Sequence, residues 1–223
     1  MTMINLLAII VTSYLLGSIP NSIILSKMAK GIDIREHGSG NAGGTNVIRV
    51  LGFKLGLSVI FLDALKGALA VIIIARLFSG SMPFNNLTPF DDFTLVQIIA
   101  GISAVVGHIW TIFAGFKGGK GIATALGMLL IIITIDMLIA VGVFLIVVSI
   151  SKYVSLGSIS AAITVPLALF ARENIFHVNI PGYHILLPFI ILISLLVILT
   201  HRENITRLLK GNESKLNFAK KKK

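Results

Sequence analysis

Apolar residues fall in six long runs separated by short polar segments. The runs cover residues 4–27, 54–78, 95–114, 121–151, 155–171 and 184–200. A helix needs about 20 residues to cross a bilayer core of about 30 Å. The fourth run is too long for one span, because its 31 residues would extend about 46 Å and carry Asp136 at their centre. We therefore divide it into two short spans that turn at Asp136, which predicts an all-α polytopic membrane protein with seven transmembrane helices.

The composition supports a membrane protein. The chain is 56% hydrophobic and only 13% charged, whereas soluble domains are about 25% charged. No basic residue precedes the first apolar run, so we expect it to remain as a span and not to be a cleaved signal. The absence of cysteine excludes disulfides and thiolate metal sites. We expect one transmembrane domain, 1–215, followed by a basic cytoplasmic tail, 216–223, that is attracted to anionic lipid.

The lysines and arginines predict the orientation of the chain. With the N-terminus outside and the C-terminus in the cytoplasm, sixteen of the nineteen basic residues face the cytoplasm, as the positive-inside rule requires. Arg76 and Arg172 lie outside, and Lys66 lies within a span. An undivided helix over 121–151 would move Lys152 and the whole tail outside. The net charge of +10 therefore reflects loop bias, and we expect no nucleic-acid binding.

This topology places three polar segments on the cytoplasmic side. We name them segment 1 (29–53), segment 2 (115–121) and segment 3 (201–215). The outer loops, 79–93 and 172–183, carry turn residues but no recognisable site chemistry. An active surface is therefore expected on the cytoplasmic side.

Segment 1 contains the sequence GSGNAGGTNVIR at 38–49. Glycines let a backbone turn sharply and approach a ligand, and free N–H groups, hydroxyls and an arginine then bind an anion. The candidate ligands are Ser39, Asn41, Thr45, Asn46 and Arg49. The alternative is a flexible connector, which would not need this density of donors. A match to the dinucleotide fingerprint within this sequence is rejected, because no strand–turn–helix context surrounds it.

Segment 2 interleaves glycines with Lys117 and Lys120 directly before a helix. Backbone N–H groups, the positive helix end and the cationic side chains converge there, which is typical of an anion site. Gly118 and Gly119 are therefore candidate ligands as well. The segment is not a P-loop, because no Ser or Thr follows Lys120. A basic turn at the membrane surface is the alternative, and it would need the lysines but not the glycines.

Segment 3 begins with His201 and Asn204, which are three residues apart and share a helix face. A histidine with a near-neutral pKa acts either as a base or as a neutral donor. The alternative is an ordinary basic stop after the last span.

Other charged residues are weaker candidates. Pro20 should kink the first span, and Lys27 is either an interface anchor or a substrate contact. Asp63 and Lys66 are placed to pair within the second span, and we favour a structural pair over a functional one. His108 is interpreted as a packed, hydrogen-bonded histidine. No cluster has metal-ligand spacing, so we expect neither a metal nor another cofactor.

Four motifs occur in order along nearly the whole chain: GSIP followed by a lysine, GSGNxGxTNxxR, GHxxxxFxGFKGGKGxAT and HRENIxRLLxGxE. In this order they resemble the motifs of the bacterial membrane-integral acyl-phosphate:glycerol-3-phosphate acyltransferase family. The positions that match the family's functional residues are Ser39, Asn41, Thr45, Asn46, Arg49, Lys120, His201 and Asn204, with Lys27 and Lys117 matching as well. The chain departs from the family pattern at Ala42, Gly44 and Thr111, and none of these changes removes a charged or hydroxylic group.

The resemblance implies transfer of a fatty acyl group from acyl phosphate to the 1-hydroxyl of sn-glycerol 3-phosphate. The products would be lysophosphatidic acid and phosphate, in the first step of bacterial phospholipid biosynthesis. The expected location is the bacterial inner (plasma) membrane, with a cytoplasmic active site. The expected partners are acyl phosphate, glycerol 3-phosphate and membrane lipid, and a candidate protein partner is the enzyme that supplies acyl phosphate.

Roles within that reaction follow as hypotheses. The Ser39 loop would stabilise the oxyanion, Arg49 and Lys120 would bind phosphate, and His201 and Asn204 would orient the acceptor. Either His201 or a substrate phosphate would take the proton. A transporter for phosphorylated solutes is the competing function, but it predicts charges along a path through the bundle, and the sequence buries only Asp63 and Lys66 deeply.

Overall fold

The structure is a computed structural model that describes residues 2–77, 81–87 and 90–215. The predicted tail, 216–223, lies outside the described residues. Within them the chain is all-helical. The helices are α1 (Met3–Gly17), α2 (Asn21–Lys30), α3 (Gly44–Leu51), α4 (Phe53–Leu69), α5 (Ala75–Leu77), α6 (Asp92–Ile109), α7 (Ile122–Ile132), α8 (Thr134–Ser151), α9 (Val154–Asn174), α10 (Tyr183–Thr200) and α11 (Arg202–Leu209).

Six helical stretches of the described chain are long and apolar enough to cross a membrane. They are Met3–Lys30, Phe53–Leu77, Asp92–Ala114, Thr134–Ser151, Val154–Asn174 and Tyr183–Thr200. Helix α7 is apolar as well but has only 11 residues, which corresponds to about 16 Å. An all-α membrane protein is confirmed, whereas the count of seven spans and the orientation of the termini remain predictions.

The fourth apolar run is divided, as the sequence suggested, but at a different residue. Helix α7 ends at Ile132 and α8 begins at Thr134, so the break precedes the predicted turn at Asp136. Asp136 is 1% exposed and lies 2.6 Å from the Arg172 guanidinium. The carboxylate is therefore paired, at the end of the bundle opposite segments 1 to 3.

The first span is broken around Pro20, as predicted. Helix α1 ends at Gly17 and α2 begins at Asn21. Proline lacks an N–H, so the break leaves carbonyl groups without helical partners. The Thr111 hydroxyl donates to the Ser18 carbonyl, and the Lys66 ammonium donates to the Ile19 carbonyl at 2.8 Å.

Glycines allow the helix pairs to pack closely. A Cβ on Gly17 would lie 2.0 Å from the Ala104 carbonyl oxygen, where α1 meets α6. A Cβ on Gly127 would lie 1.8 Å from the carbonyl oxygen of Ala64, where α7 meets α4. Small residues at such positions bring backbones into direct contact. This packing holds the ends of α6 and α7, and therefore segment 2 between them, against α1 and α4.

Candidate active site

Segment 1 is organised around the side chain of Asn46. This residue is 2% exposed, and its amide oxygen accepts the Ser39 N–H at 2.8 Å. Its amide nitrogen donates to the carbonyls of Ile34, His37 and Asn41 at 3.0, 2.9 and 3.1 Å. We predicted Asn46 as a substrate ligand, but its polar atoms are used within the loop. The structure therefore indicates that Asn46 stabilises the backbone conformation of the loop.

The other predicted ligands of segment 1 are nearer the surface. Ser39 is exposed, and Asn41 and Thr45 are half-buried. Within the described residues their side chains make no hydrogen bond. These groups are thus available to a ligand. Gly38 precedes Ser39 with φ +63°, and a Cβ there would lie 2.3 Å from the Asn46 amide oxygen, so the turn requires glycine.

Arg35 joins segment 1 to the residue before segment 2. Its guanidinium donates to the Asp33 carboxylate at 2.7 Å and to the Ala114 carbonyl at 2.9 Å. The hydrogen bond from the Arg35 guanidinium to this carboxylate lowers the pKa of Asp33 to about 2. The carboxylate therefore stays ionised and fixes the guanidinium that bridges the two segments.

Segment 2 folds back onto the end of α6. The N–H groups of Gly118 and Gly119 each donate at 3.1 Å, to the carbonyls of Ile109 and His108 respectively. A Cβ on Gly119 would also lie 2.8 Å from the carbonyl oxygen of Ala42 in segment 1. Segments 1 and 2 are therefore in contact. The two N–H groups that were expected to bind an anion are already paired.

Segment 3 meets segment 1 at Glu213. This carboxylate is 6% exposed and accepts hydrogen bonds from Asn204 at 2.8 Å, Ser155 at 2.9 Å and Arg207 at 2.8 Å. The Arg49 guanidinium lies 3.5 Å from it. Arg49 also donates to the Ser214 carbonyl at 3.0 Å.

Lys120 completes this arrangement from segment 2. Its ammonium donates to the amide oxygen of Asn204, and Asn204 in turn donates to Glu213. We call Arg49, Lys120, Asn204, Arg207 and Glu213 the Glu213 cluster. It draws one or more residues from each of the three polar segments.

The electrostatics of the Glu213 cluster favour an anionic ligand. Burial, followed by repulsion from Arg207, lowers the pKa of Lys120 to about 8, so its ammonium is still mostly charged at neutral pH. Burial opposes ionisation of Glu213, but hydrogen bonds from Arg207, Asn204 and Ser155 outweigh it and hold the pKa of Glu213 below its ordinary value. Three cations thus surround one carboxylate, and the excess positive charge attracts phosphate.

His201 is buried beside this cluster in its neutral form. Its Nδ1 lies 2.8 Å from the Val197 carbonyl, and because a carbonyl only accepts, Nδ1 carries the proton and Nε2 is an acceptor. Burial, then the positive charge of Lys120, lowers the pKa of His201 to about 4. A base this weak is suited to orienting a hydroxyl and poorly suited to removing its proton.

The structure thus brings Arg49, Lys120, His201 and Asn204 together. Among the described residues no hydrogen bond joins Ser39 to this group. Lys27 and Lys117 are exposed, and neither side chain makes a hydrogen bond or ion pair within that part of the chain. No group of three metal-ligating His, Asp or Glu side chains occurs there either.

Glu213 is the residue that sequence reasoning missed. The sequence offered two signals: Glu213 closes the HRENIxRLLxGxE motif, and it is the single acidic residue in the basic stretch after Leu209. Its partners Arg49, Ser155 and Asn204 come from three separate parts of the chain, so spacing alone does not reveal the cluster.

The chain is similar to known proteins over nearly its whole length. A family model described as glycerol-3-phosphate acyltransferase matches residues 7–211. A glycerol-3-phosphate acyltransferase of Chlorobaculum tepidum is 46% identical over 98% of this chain and 100% of its own length. One of Chlorobaculum parvum is 45% identical with the same coverage.

Two solved structures share the fold. Both are crystal structures of PlsY (YgiH), described as an integral membrane glycerol 3-phosphate acyltransferase. The glycerol 3-phosphate form has a TM-score of 0.78 and 39% identity, covering 95% of this chain and 96% of that one. The lysophosphatidic acid form has a TM-score of 0.76 and 38% identity, covering 96% of both. On this evidence the chain belongs to the glycerol-3-phosphate acyltransferase family.

Proposed function

We propose that the protein transfers a fatty acyl group from acyl phosphate to the 1-hydroxyl of sn-glycerol 3-phosphate. Lysophosphatidic acid and inorganic phosphate are the products. The observation that carries this proposal is the Glu213 cluster, in which cations from three distant segments meet. The two related structures are described as the glycerol 3-phosphate form and the lysophosphatidic acid form, which supports the same acceptor and product here.

The reaction has a simple atomic balance. The 1-hydroxyl oxygen attacks the acyl carbon, the bond from that carbon to the phosphate oxygen breaks, and phosphate leaves. The cations of the Glu213 cluster hold phosphate oxygens through charge-assisted hydrogen bonds. Holding both reactants beside each other supplies a large part of the rate enhancement, since it replaces a bimolecular encounter.

Ser39 and its loop are proposed to serve the acyl-phosphate carbonyl. The exposed hydroxyl and the nearby backbone N–H groups are donors for the oxyanion that develops there. One such donor is worth about 2.7–4 kcal/mol in other acyl transfers. The glycines flanking Ser39 allow the acyl phosphate to approach this loop closely.

The proton of the attacking hydroxyl goes to a phosphate oxygen of a substrate in this scheme. The low pKa of His201, about 4, supports this choice over His201 as base. His201 Nε2 and Asn204 are proposed to orient glycerol 3-phosphate. Phosphate is a good leaving group, so a strong base is not required.

The proposal places this step first in bacterial phospholipid synthesis, at the inner membrane with the site facing the cytoplasm. The basic residues concentrated in segments 1 to 3 support that orientation through the positive-inside rule. An enzyme that supplies acyl phosphate from the cytoplasm would then reach the site from the same side.

The test is turnover by purified protein in detergent. Acyl phosphate and glycerol 3-phosphate are supplied, phosphate release is measured, and lysophosphatidic acid is identified by mass spectrometry. Lys120→Met should abolish most of the activity, whereas Lys54→Met, which changes an exposed lysine, should not. Turnover with an acyl thioester but not with acyl phosphate would refute the proposed donor, and no turnover with either would refute the activity.

A further inference from the structure

Three buried polar residues and the half-buried Asn21, none of which the proposed chemistry uses, meet where α1 breaks from α2. Asp63 and Lys66 are 2% and 4% exposed, and their charged groups lie 3.0 Å apart. The Asn21 amide donates to the same Asp63 oxygen at 2.9 Å, and His108 Nδ1 lies 3.6 Å from it. We call these four residues the Asp63 network.

The helix break accounts for only part of this network. Lys66 satisfies the Ile19 carbonyl, but the neutral Thr111 hydroxyl does the same for Ser18. A neutral donor is thus sufficient for a freed carbonyl. Burying an ion pair costs desolvation energy and adds little net stability, so the Asp63 carboxylate calls for a further explanation.

That explanation lies on the other side of the His108 ring. A Cβ on Gly119 would lie 2.3 Å from His108 Nε2, and a Cβ on Gly118 would lie 2.0 Å from the His108 carbonyl oxygen. The Gly119 N–H donates to the same carbonyl at 3.1 Å. The His108 ring therefore lies between the Asp63 carboxylate and the backbone of Gly119.

Lys120 follows Gly119 directly and reaches the Glu213 cluster through Asn204. We propose that the Asp63 network positions the phosphate-binding loop: Asp63 holds His108, and His108 fixes the Gly118–Gly119 backbone that aims Lys120 at the substrate phosphate. This inference rests on the proposed function and adds positioning residues to it. Asp63, Lys66 and His108 act through Lys120 and do not touch substrate.

The space around the network agrees with a positioning role. Asp63, Lys66, His108 and Gly119 border a cavity of about 10 Å³, which is room for about one water molecule. Neither a phosphate nor an acyl chain fits there. The network therefore acts on the reaction through the loop.

The chain offers a matched control at its opposite end. Asp136 is as buried as Asp63 and pairs with Arg172 at 2.6 Å. Both carboxylates lie in apolar helices, so removing either charge should cost stability by a similar mechanism. Only Asp63 is connected to segment 2.

The experiment compares Asp63→Asn with Asp136→Asn in detergent, on protein that elutes as a single species. We expect Asp63→Asn to raise KM for glycerol 3-phosphate by about tenfold while kcat changes by less than about threefold, since phosphate binding is what the loop supplies. Asp136→Asn should leave KM unchanged at a comparable loss of thermal stability. An unchanged KM in Asp63→Asn, or an equal rise in Asp136→Asn, would overturn the proposal.

A second pair of variants applies where Asp63→Asn does not fold. Gly119→Ala and His108→Ala should each raise KM. The rise in KM in the double variant should be smaller than the two single effects combined, because both changes act on the contact between Gly119 and His108. Fully additive effects would contradict the proposal. Gly142→Ala is the control, since a Cβ there meets nothing within 4 Å.

A readout without turnover separates this inference from the proposed function. The pH midpoint for labelling Lys120 with an amine reagent, followed by mass spectrometry, reports how well the loop keeps that amine buried. Asp63→Asn should raise this midpoint and Asp136→Asn should not. An unchanged midpoint would refute the positioning role, whereas an inactive wild-type protein would refute only the proposed function.

Discussion

The ammonium of Lys120 donates a hydrogen bond to the amide oxygen of Asn204, although the two residues are 84 positions apart. The Asn204 amide nitrogen in turn donates to Glu213 at 2.8 Å. One amide thus holds a cation with its oxygen and a buried carboxylate with its nitrogen. The arrangement keeps Lys120 close to Glu213 without letting the two form a direct salt bridge that would neutralise the lysine.

Replacing Asn204 should therefore weaken phosphate binding and not only remove a polar group. Asn204→Ala frees Lys120 and leaves Glu213 with one donor fewer. A hydrogen bond to a charged group is worth about 1.5–3 kcal/mol, or roughly 10- to 150-fold in kcat/KM. Steady-state kinetics of phosphate release measure the loss. Asn174→Ala changes an asparagine on α9 that bonds Tyr183, and kcat/KM should stay near wild type; an equal loss there would contradict a specific role for Asn204.

Glu213 should stabilise the fold as well as the site. Glu213→Gln removes the charge that balances Arg49 and Arg207, and we expect the free energy of unfolding to fall by about 1–3 kcal/mol. Thermal unfolding in detergent measures this change.

Glu203 gives the matched control, because it also pairs with Arg207, at 3.7 Å. Its side chain is 75% exposed, and exposed ion pairs contribute little. Glu203→Gln should therefore leave the unfolding temperature nearly unchanged. Equal losses from the two variants would show that burial of Glu213 does not matter.

Local patterns in the sequence predicted the local features of the structure well. The spacing of Asp63 and Lys66 predicted their pair, which the structure has at 3.0 Å, and Pro20 predicted the break between α1 and α2. Both depend on a few neighbouring residues and on fixed helix geometry. The resemblance to the family is likewise confirmed.

Contacts between distant residues were harder to predict. Asp136 and Arg172 were both placed away from the cytoplasmic segments, but their pairing depends on how α8 packs against α9. Asn46 was predicted as a ligand, although an asparagine in a glycine-rich loop is suited both to binding a substrate and to stabilising the loop. Only the fold shows that its amide nitrogen donates to the Ile34, His37 and Asn41 carbonyls.

Close contact between α4 and α7 should depend on Gly127. A Cβ there would lie 1.8 Å from the Ala64 carbonyl oxygen, so Gly127→Ala must separate the two helices and lower the unfolding temperature. Gly142→Ala in α8 meets nothing within 4 Å and should raise stability slightly, since alanine favours helix by about 1 kcal/mol. Thermal unfolding of both variants tests this, and a stable Gly127→Ala protein would refute the packing.

The charge on Lys120 should set the alkaline limit of activity. Burial and repulsion from Arg207 lower the pKa of Lys120 to about 8, so the ammonium is lost as pH rises through that value. We expect kcat/KM, which reports ionisation of the free enzyme, to fall above about pH 8. Lys120→Arg should lose this inflection because guanidinium stays charged. Uncatalysed hydrolysis of acyl phosphate is subtracted from the rates. If kcat/KM of Lys120→Arg still fell with the same midpoint as wild type, the inflection would belong to another group.

Titration of His201 should affect the pH dependence of stability and not the pH–rate profile near neutral pH. Its pKa in the folded protein is lowered to about 4, so the ring is neutral from about pH 5 upward and no inflection in kcat/KM is expected near 6.5. In the unfolded chain the ring binds a proton below about 6.5. Between these two values the unfolded state therefore holds more protons, and stability must fall as the pH falls.

Replacing His201 tests both halves of that prediction. His201→Gln should retain the shape of the neutral pH–rate profile and should lose less thermal stability than wild type between pH 6.5 and 4. His177→Gln, which changes an exposed histidine, should follow the wild-type stability curve. An inflection near pH 6.5 that disappears only in His201→Gln would instead identify this ring as the base, and the proton would then pass to Nε2 and not to a substrate phosphate.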